Sequence, residues 1–278
     1  MKTGLRGGAL WGEPPFAAIR LAGFDALNYV GFASLKSELY RISEEEVRER
    51  LLKLRQEAEA AGLCFNQTHA ACPTDDSTAE KRAANTELLY RAMRGTAALG
   101  ARDIVIHPLM PFGHDADVQD DPQGVFLMNL DWIREILPYA HELGLRLNIE
   151  NMPYANLDIA RFSRLYALVR EVNDDSFGLC LDTGHAACIG DDPAELVRLA
   201  GKKLFTLHVH DAMKQQDLHL PPFAGRIDWK PFRDALRETD FDGVVSLEVN
   251  ISPFLPPAMY GAMREMLSRA ALWIAGRD

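Results

Sequence analysis

The stretch Leu145-Arg-Leu-Asn-Ile-Glu150 is a short apolar run that stops on an acid. The same pattern recurs in Leu179-Cys-Leu-Asp182 and in Val244-Val-Ser-Leu-Glu248, while Leu204-Phe-Thr-Leu-His208 stops on an imidazole. Short apolar runs with polar borders are typical of strands that are buried on both faces of a parallel sheet. Charged and metal-binding side chains are costly to bury one at a time, so their recurrence at strand ends predicts one shared polar site.

Amphipathic segments alternate with these apolar runs along the chain. One helix is predicted to begin in capping-box fashion at Ser43 and to stop at Gly62, and the next to stop at Gly100. The predicted strands cover residues 23–30, 63–69, 103–107, 145–150, 176–182, 203–208 and 243–248. The predicted helices cover residues 43–61, 78–99, 125–143, 156–172, 193–200, 230–238 and 258–275. A further, first strand is expected within residues 3–10.

Seven β-then-α units of this kind indicate an α/β protein with a parallel sheet. The predicted fold is a single (β/α)8 TIM barrel over residues 1–278, and an open doubly wound sheet is the alternative. A barrel also explains the acids at the strand ends, because barrel active sites form at the carboxyl ends of the strands. Neither a GxGxxG nor a GxxxxGK[ST] motif occurs, which argues against a nucleotide-binding fold.

Composition narrows the function classes. The chain has 278 residues, of which 47% are hydrophobic and 25% charged, and a formal net charge of −10. This acidity disfavours nucleic acid as a partner, since binding to phosphate backbones needs a basic surface. The sequence contains neither a signal-peptide core nor an apolar stretch of bilayer length, so a cytoplasmic protein without a membrane partner is expected.

The irregular segments and the cysteines supply secondary candidates. The loop at residues 108–123 is a candidate lid, and a second irregular loop is predicted at residues 211–226. The four cysteines form no CxxC pair, and reduced thiols are expected in a cytoplasmic protein. Cys64 and Cys180 lie in apolar runs and are predicted to pack as small hydrophobes. Cys72 and Cys188 lie near the predicted site, so that either could add a ligand.

Four strand-end residues form the predicted metal site: Glu150, Asp182, His208 and Glu248. Three carboxylates and one imidazole suit a divalent Mn, Mg, Co or Zn ion and leave coordination positions for substrate oxygens. The alternative for any one of them is an ordinary pairing with a neighbouring side chain. The site could bind more than one ion, because further candidate metal ligands lie at the ends of other strands or directly after them.

Those further candidates are mainly histidines. His185 follows Asp182 by three residues and is predicted to ligate a second metal or to bind a substrate hydroxyl, with capping of the next helix as the alternative. His210 shares a strand face with His208 and is predicted to face the substrate or to support the ligands, with Asp211 as an orienting carboxylate. The remaining possible additional metal ligands are His69, His107, Asp217 and His219.

The motifs around these residues resemble the sugar phosphate isomerase/epimerase superfamily of xylose isomerase-like TIM barrels. The motifs are Ile149-Glu-Asn151, Leu181-Asp-Thr-Gly-His185, Leu207-His-Val-His-Asp211, Asp217-Leu-His-Leu-Pro221 and Gly243-Val-Val-Ser-Leu-Glu248. The resemblance to its ketose 3-epimerases implies one metal on Glu150, Asp182, His208 and Glu248, with the two glutamates as catalytic acid and base. It implies substrate contact by His185 and by an arginine after His208, for which Arg226 is the candidate although it lies further along.

The superfamily is related to the zinc apurinic-site endonucleases, which bind three zinc ions through nine ligands. All nine have counterparts here: His69, His107, Glu150, Asp182, His185, His208, Asp217, His219 and Glu248. The chain departs from that branch at His210, where the endonucleases carry Asn, and at Leu218, where they carry Arg. The net charge of −10 also differs from the positive surface that those endonucleases need to bind DNA.

The predicted function is therefore a metal-dependent sugar isomerase or epimerase for a small, unphosphorylated sugar or polyol derivative. Glu150 and Glu248 are the predicted catalytic residues, transferring a proton through a metal-stabilised enediolate. A multi-zinc phosphoester hydrolase of the apurinic-site endonuclease type is the alternative, and a non-catalytic sugar-binding barrel is a third reading. The resemblance is compatible with a homo-oligomer. Trp11, Phe112, Phe223 and Trp229 are predicted pocket walls.

Overall fold

Eight parallel strands form one sheet in the computed structural model, which describes residues 1–7, 16–72, 78–110, 121–252 and 254–277. The strands are β1 (Lys2–Gly7), β2 (Ala26–Tyr29), β3 (Cys64–His69), β4 (Asp103–Ile106), β5 (Arg146–Glu150), β6 (Phe177–Asp182), β7 (Leu204–His208) and β10 (Val244–Leu247). Their order is β10-β1-β2-β3-β4-β5-β6-β7, and every pairing is parallel.

The sheet closes on itself just beyond β7. Val209 forms a parallel bridge with Leu247, its N–H donates to the Ser246 carbonyl at 2.8 Å, and its own carbonyl accepts the N–H of Glu248 at 3.0 Å. These bonds join the two outer strands of the sheet. The predicted (β/α)8 barrel is therefore confirmed, and the open doubly wound sheet is excluded.

Helices connect the strands on the outside of the barrel. They are α1 (Phe16–Leu21), α2 (Glu44–Ala60), α3 (Ala79–Leu99), α4 (Pro122–Glu142), α5 (Phe162–Val172), α6 (Thr183–Ile189), α7 (Pro193–Ala200), α8 (Trp229–Glu238) and α9 (Tyr260–Ile274). The predicted caps are present: the Ser43 hydroxyl accepts the N–H of Glu46, and Gly100 ends α3 at a φ of 73°. Among the described helices, none combines the length and apolar character needed to cross a bilayer.

Strand alternation separates an apolar outer layer from a polar interior. In β5, Leu147 and Ile149 pack into the core with the helices, while Asn148 and Glu150 belong to the buried polar set. The amide of Gln67 on β3 donates to the Leu207 carbonyl on β7, which is not a neighbouring strand, so this bond crosses the interior. A polar interior of this kind gives inward-pointing acids and imidazoles hydrogen-bond partners below the site.

Several predicted segments differ from the structure. The helix predicted over residues 156–172 begins only at Phe162, and α6 was not predicted. The first strand is Lys2–Gly7 rather than within residues 3–10, of which 8–10 lie outside the described residues. Residues 23–25 form the turn before β2 rather than strand. The predicted irregular loop at residues 211–226 contains an antiparallel hairpin of β8 (Asp211–Met213) and β9 (Gln216–Leu220). These strands are short and polar, so they lack the apolar alternation that marks a strand in sequence.

The candidate lid can be described only in part. Residues 111–120 of the predicted lid at 108–123 lie outside the described residues, and so do the predicted pocket walls Trp11 and Phe112.

Candidate metal centre

The carboxyl ends of the strands bring the four predicted ligands of the main site together. Glu150 ends β5, Asp182 ends β6, His208 ends β7, and Glu248 directly follows β10. All four are buried, and one ligand atom from each lies within 4.8 Å of the others. The spacing is close enough for one shared cation, and we call these four residues the inner cluster.

The imidazole of His208 lies at the centre of the inner cluster. Its Nδ1 is 2.7 Å from Glu150 Oε1 and 2.9 Å from Glu248 Oε2. Its Nε2 is 3.3 Å from the amide nitrogen of Asn28, whose Oδ1 is buried without a hydrogen-bond partner among the described residues. Sequence analysis missed Asn28, although a polar residue inside the apolar run Ala26-Leu-Asn-Tyr29 was a visible signal. Its amide fixes the plane of the ring that faces both glutamates.

His69 and His107 reach Glu150 from a second direction. Their Nε2 atoms lie 3.0 Å and 3.2 Å from the same oxygen, Glu150 Oε2. The His69 ring stacks on His208 with centroids 5.5 Å apart and an interplanar angle of 13°. The carboxylate of Glu150 therefore faces imidazoles through both of its oxygens, which is the arrangement expected of a carboxylate that links two ion sites.

A second group, here called the outer cluster, consists of His185, His210, Asp217 and His219. One ligand atom from each lies within 4.8 Å of the others. Asp217 Oδ2 is 3.2 Å from His185 Nε2 and 3.4 Å from His219 Nε2. The hairpin missed in the sequence positions Asp217 and His219, because β9 carries both.

His210 links the two clusters. It is fully buried, and its Nε2 lies 2.9 Å from the Asp182 carboxylate of the inner cluster. A Cβ atom at Gly184 would lie 1.9 Å from His210 Cε1, so the glycine of the Asp-Thr-Gly-His motif leaves the space that this ring occupies. Sequence analysis predicted that His210 faces the substrate or supports the ligands, and its contact with Asp182 is of the second kind.

Backbone carbonyls fix the tautomers of several imidazoles in the same sense. The Nδ1 atoms of His69, His185 and His219 lie 2.7–2.9 Å from the carbonyl oxygens of Ala70, Asn151 and Glu248, respectively. A carbonyl only accepts, so each Nδ1 carries the hydrogen and donates it. When neutral, as a metal ligand must be, each ring presents the lone pair of Nε2 towards a carboxylate; without an ion, a proton on Nε2 fills that contact. Two groups with lone pairs facing each other are stabilised by a cation between them, and this orientation is typical of metal-ligating histidines.

A family comparison agrees with this fold and with these motifs. The model of the family described as xylose isomerase-like TIM barrel matches residues 16–270.

The chain belongs to the xylose isomerase-like TIM barrel family.

Relatives and solved structures in the comparison include sugar isomerases and epimerases. The chain is 24% identical to a D-psicose 3-epimerase of Agrobacterium fabrum over 79% of this chain and 75% of that protein. It is 29% identical to an inosose isomerase of Bacillus subtilis over 44% of this chain and 46% of that protein. A crystal structure of a D-psicose 3-epimerase in the presence of D-fructose superposes with a TM-score of 0.78 at 20% identity, covering 99% of this chain and 100% of that one. For three curated relatives the matched part spans only 56%, 57% and 46% of their length.

The two inner-cluster glutamates of this xylose isomerase-like barrel are held in their ionised form. Burial would raise the pKa of Glu150, but the positive His208 ring and hydrogen bonds from His107, His208 and His69 hold it well below its usual range. Burial likewise opposes ionisation of Glu248, and His208 lowers its pKa again. Buried negative charges need a counter-charge, so the donor set of carboxylates and imidazoles fits a divalent ion.

Arg6 is a further charged residue that sequence analysis missed. Its Nη1 lies 3.5 Å from Glu248 Oε1 and helps to lower the pKa of that carboxyl. Arg6 lies near the end of β1, the strand with the weakest sequence signal. Arg226, the predicted substrate-binding arginine, is exposed and lines a cavity with Asp191, Asp192 and Pro193, none of which belongs to either cluster. The structure therefore brings Arg6, and not Arg226, to the candidate site.

Asp211 and Trp229 have structural roles that differ from the predicted ones. The buried Asp211 carboxylate accepts the N–H groups of Ala212, Ile227 and the Trp229 indole at 3.0–3.1 Å. It therefore holds the loop before α8 rather than orienting a histidine. Trp229 is 2% exposed and packs on Phe232, so it belongs to the core and not to a pocket wall. Phe223 is 55% exposed and packs on Trp273.

The outer cluster predicts a pH dependence for the stability of the metal-free protein. Burial lowers the pKa of both His185 and His219, but the hydrogen bonds that these rings donate to Asp217 and the charge of Asp182 raise the values to about 10 and about 9. The folded protein therefore keeps two protons that the unfolded chain releases near pH 6.5. Their stabilisation is complete below pH 6.5 and is lost as the pH rises through about 9–10.

Denaturation by urea at pH 6.5 and pH 10 after chelator treatment measures this effect. A His185→Gln/His219→Gln double variant serves as the control, because other groups titrate in the same range. The free energy of unfolding of the wild type should fall more steeply with pH than that of the double variant. Parallel pH profiles for the two proteins would show that these imidazoles do not hold extra protons.

Proposed function

We propose that this protein is a divalent-metal-dependent sugar isomerase or epimerase that acts on a small sugar or polyol derivative. The observation that carries the proposal is the pair of buried glutamates that contact the same ring nitrogen. Glu150 and Glu248 come within 2.7 and 2.9 Å of His208 Nδ1, and they do so from β5 and β10, which are not neighbouring strands. Two carboxylates facing one space from different sides suit proton removal on one face of a carbon and proton return on the other.

The inner cluster would hold the ion through Glu150, Asp182, His208 and Glu248. When bound there, a divalent ion polarises a substrate carbonyl and stabilises the negative charge of an enediolate. Two features of this chain fit that role, namely the ionised carboxylates and the fixed orientation of the His208 ring.

The contacts of the two glutamates suggest which one takes the proton first. Both oxygens of Glu150 face imidazoles, and its side chain is 2% exposed. Glu248 is 10% exposed, and its Oε1 makes the longer contact of 3.5 Å to Arg6. The less constrained carboxylate is the better proton acceptor, because it can rotate towards a substrate C–H. We therefore assign proton removal to Glu248 and proton return to Glu150, while substrate contact by His185 stays a prediction.

The names of the relatives support the substrate class. They include a D-psicose 3-epimerase and inosose isomerases, and their substrates carry a carbonyl next to hydroxyl-bearing carbons. Such a substrate has the acidic C–H that a glutamate pair can exchange.

Solvent exchange tests the proposal directly. The protein loaded with Mn²⁺ is incubated in D2O with D-psicose, D-tagatose, D-fructose or an inosose, and NMR follows deuterium incorporation beside the carbonyl. We expect incorporation and a new isomer with at least one of these compounds, and loss of both in Glu248→Gln. Binding without exchange would instead support a non-catalytic sugar-binding barrel.

A multi-zinc phosphoester hydrolase is the second candidate. The observation that favours it is that the structure gathers all nine predicted zinc ligands at one end of the barrel, in the inner cluster, the outer cluster and the His69–His107 pair. Cleavage of a duplex that contains an abasic site, measured with Zn²⁺ and with excess EDTA, separates this candidate from the first. The net charge of −10 predicts no cleavage.

A further inference from the structure

Cys72 lies beside two histidines at the mouth of the barrel. It follows His69 by three residues, and its backbone N–H donates to the Ala33 carbonyl at 2.8 Å. Its Sγ lies 3.5 Å from the same carbonyl oxygen. These contacts anchor the segment after β3 to the loop after β2, so the position of the thiol is set by the fold.

The thiol is close enough to both imidazoles to share one metal ion with them. One ligand atom each of His69, Cys72 and His107 lies within 4.8 Å of the others. The other cysteines differ in placement: Cys64 is exposed, Cys180 is fully buried within β6, and Cys188 packs on Ala187 and Ala212. In the part of the chain that the structure describes, no other group of potential metal ligands contains a cysteine.

We propose that a second divalent ion, Zn²⁺ or Co²⁺, binds to His69, His107 and the thiolate of Cys72. Sulfur and imidazole donors suit Zn²⁺ or Co²⁺ and do not suit Mg²⁺, which prefers oxygen. The thiol gives its proton to solvent as the sulfur–metal bond forms, so binding adds one net positive charge to the site. The inner cluster offers three carboxylates and one imidazole and so accepts a harder ion.

Glu150 connects the two sites. Its Oε2 lies 3.0 Å from His69 Nε2 and 3.2 Å from His107 Nε2, while its Oε1 faces His208. An ion on the Cys72 site therefore lies next to a carboxylate of the inner cluster. The proposal concerns the ligands of this chain and does not depend on the reaction that the inner cluster performs.

Cobalt absorption tests the sulfur ligand without measuring turnover. The chelator-treated full chain is titrated with Co²⁺, and thiolate-to-cobalt charge transfer is followed in the near ultraviolet. We expect this band in the wild type and in Cys64→Ser, and its loss in Cys72→Ser. Zn²⁺ affinity at this site should fall in Cys72→Ser by more than the roughly 10–100-fold that loss of an outer hydrogen-bond partner costs. Absence of the band in the wild type, or its persistence in Cys72→Ser, would overturn the proposal.

Alkylation of the unmodified protein gives a second measurement that needs no variant. Iodoacetamide labelling of each cysteine is mapped by mass spectrometry with Zn²⁺, with Mg²⁺ and without metal. Zn²⁺ should slow labelling of Cys72 selectively, and labelling of the exposed Cys64 should stay unchanged. Equal labelling of Cys72 under all three conditions would show that the thiol binds no metal.

Discussion

The substitution Glu248→Gln should reduce turnover of a ketose substrate by at least about 10²–10⁴-fold, the usual contribution of general acid–base catalysis. The amide keeps the shape of the side chain, but it cannot accept a proton and donates less charge to an ion. Glu150→Gln should have an effect of at least the same size, because Glu150 also faces His69, His107 and His208.

Metal content and turnover have to be measured on the same preparations. Glu265→Gln is the matched control, since Glu265 is exposed on α9 and pairs with Arg269, and it should retain full activity. A Glu248→Gln protein that keeps its metal and loses turnover supports proton transfer by Glu248. Full turnover with the metal retained would remove Glu248 from the mechanism.

Removal of divalent ions should abolish activity and lower the melting temperature of the protein. An ion that binds only the folded state stabilises it by about 2.7 kcal/mol when its concentration is 100 times the dissociation constant. For a chain of this size, about 1 kcal/mol shifts the melting temperature by roughly 2–4 °C. The chelator-treated protein should therefore regain several degrees on addition of Mn²⁺ or Zn²⁺.

His208 and His141 form the comparison pair for this measurement. His208→Asn removes the ring between Glu150 and Glu248 and should reduce the recovery on metal addition. His141 lies on α4, and its Nε2 is 3.0 Å from Asp174, which belongs to neither cluster. His141→Asn should recover as the wild type does. Equal recovery of the two variants would show that the inner cluster is not the main metal site.

The apolar runs predicted most of the barrel strands, because each run depends on the burial of its own strand. In β5, Leu147 and Ile149 pack against the helices and alternate with polar residues up to Glu150, and this alternation is visible in the sequence whatever strands lie beside it. The helix ends at Ser43 and Gly100 follow from hydrogen bonds within one turn. The polar, three-residue β8 carries no such signal, and its pairing with β9 depends on contacts across the hairpin.

The sequence predicted which residues form the candidate site, but it predicted few of the contacts between them. The strand-end pattern identified Glu150, Asp182, His208 and Glu248, since burial of a charge is visible as a break in an apolar run. It could not identify Asn28 or Arg6 as their partners. Arg6 meets Glu248 because the first strand pairs with the last, and Asn28 meets His208 across the barrel interior. The resemblance to the ketose 3-epimerases made Arg226 the candidate substrate-binding arginine, and the structure places that side chain at a cavity with Asp191 and Asp192.

The sequence by itself determined the order of the eight barrel strands and of most of the helices, the strand-end acids and the family of the fold, because these depend on periodicity and on local motifs. Only the tertiary structure decided which ring nitrogen faces which carboxylate and that Cys72 joins two histidines. Those relations depend on distances between residues far apart in the chain, and barrel closure sets such distances. A backbone carbonyl that takes the Nδ1 hydrogen of a histidine leaves no mark in the sequence, yet it directs Nε2 into the site.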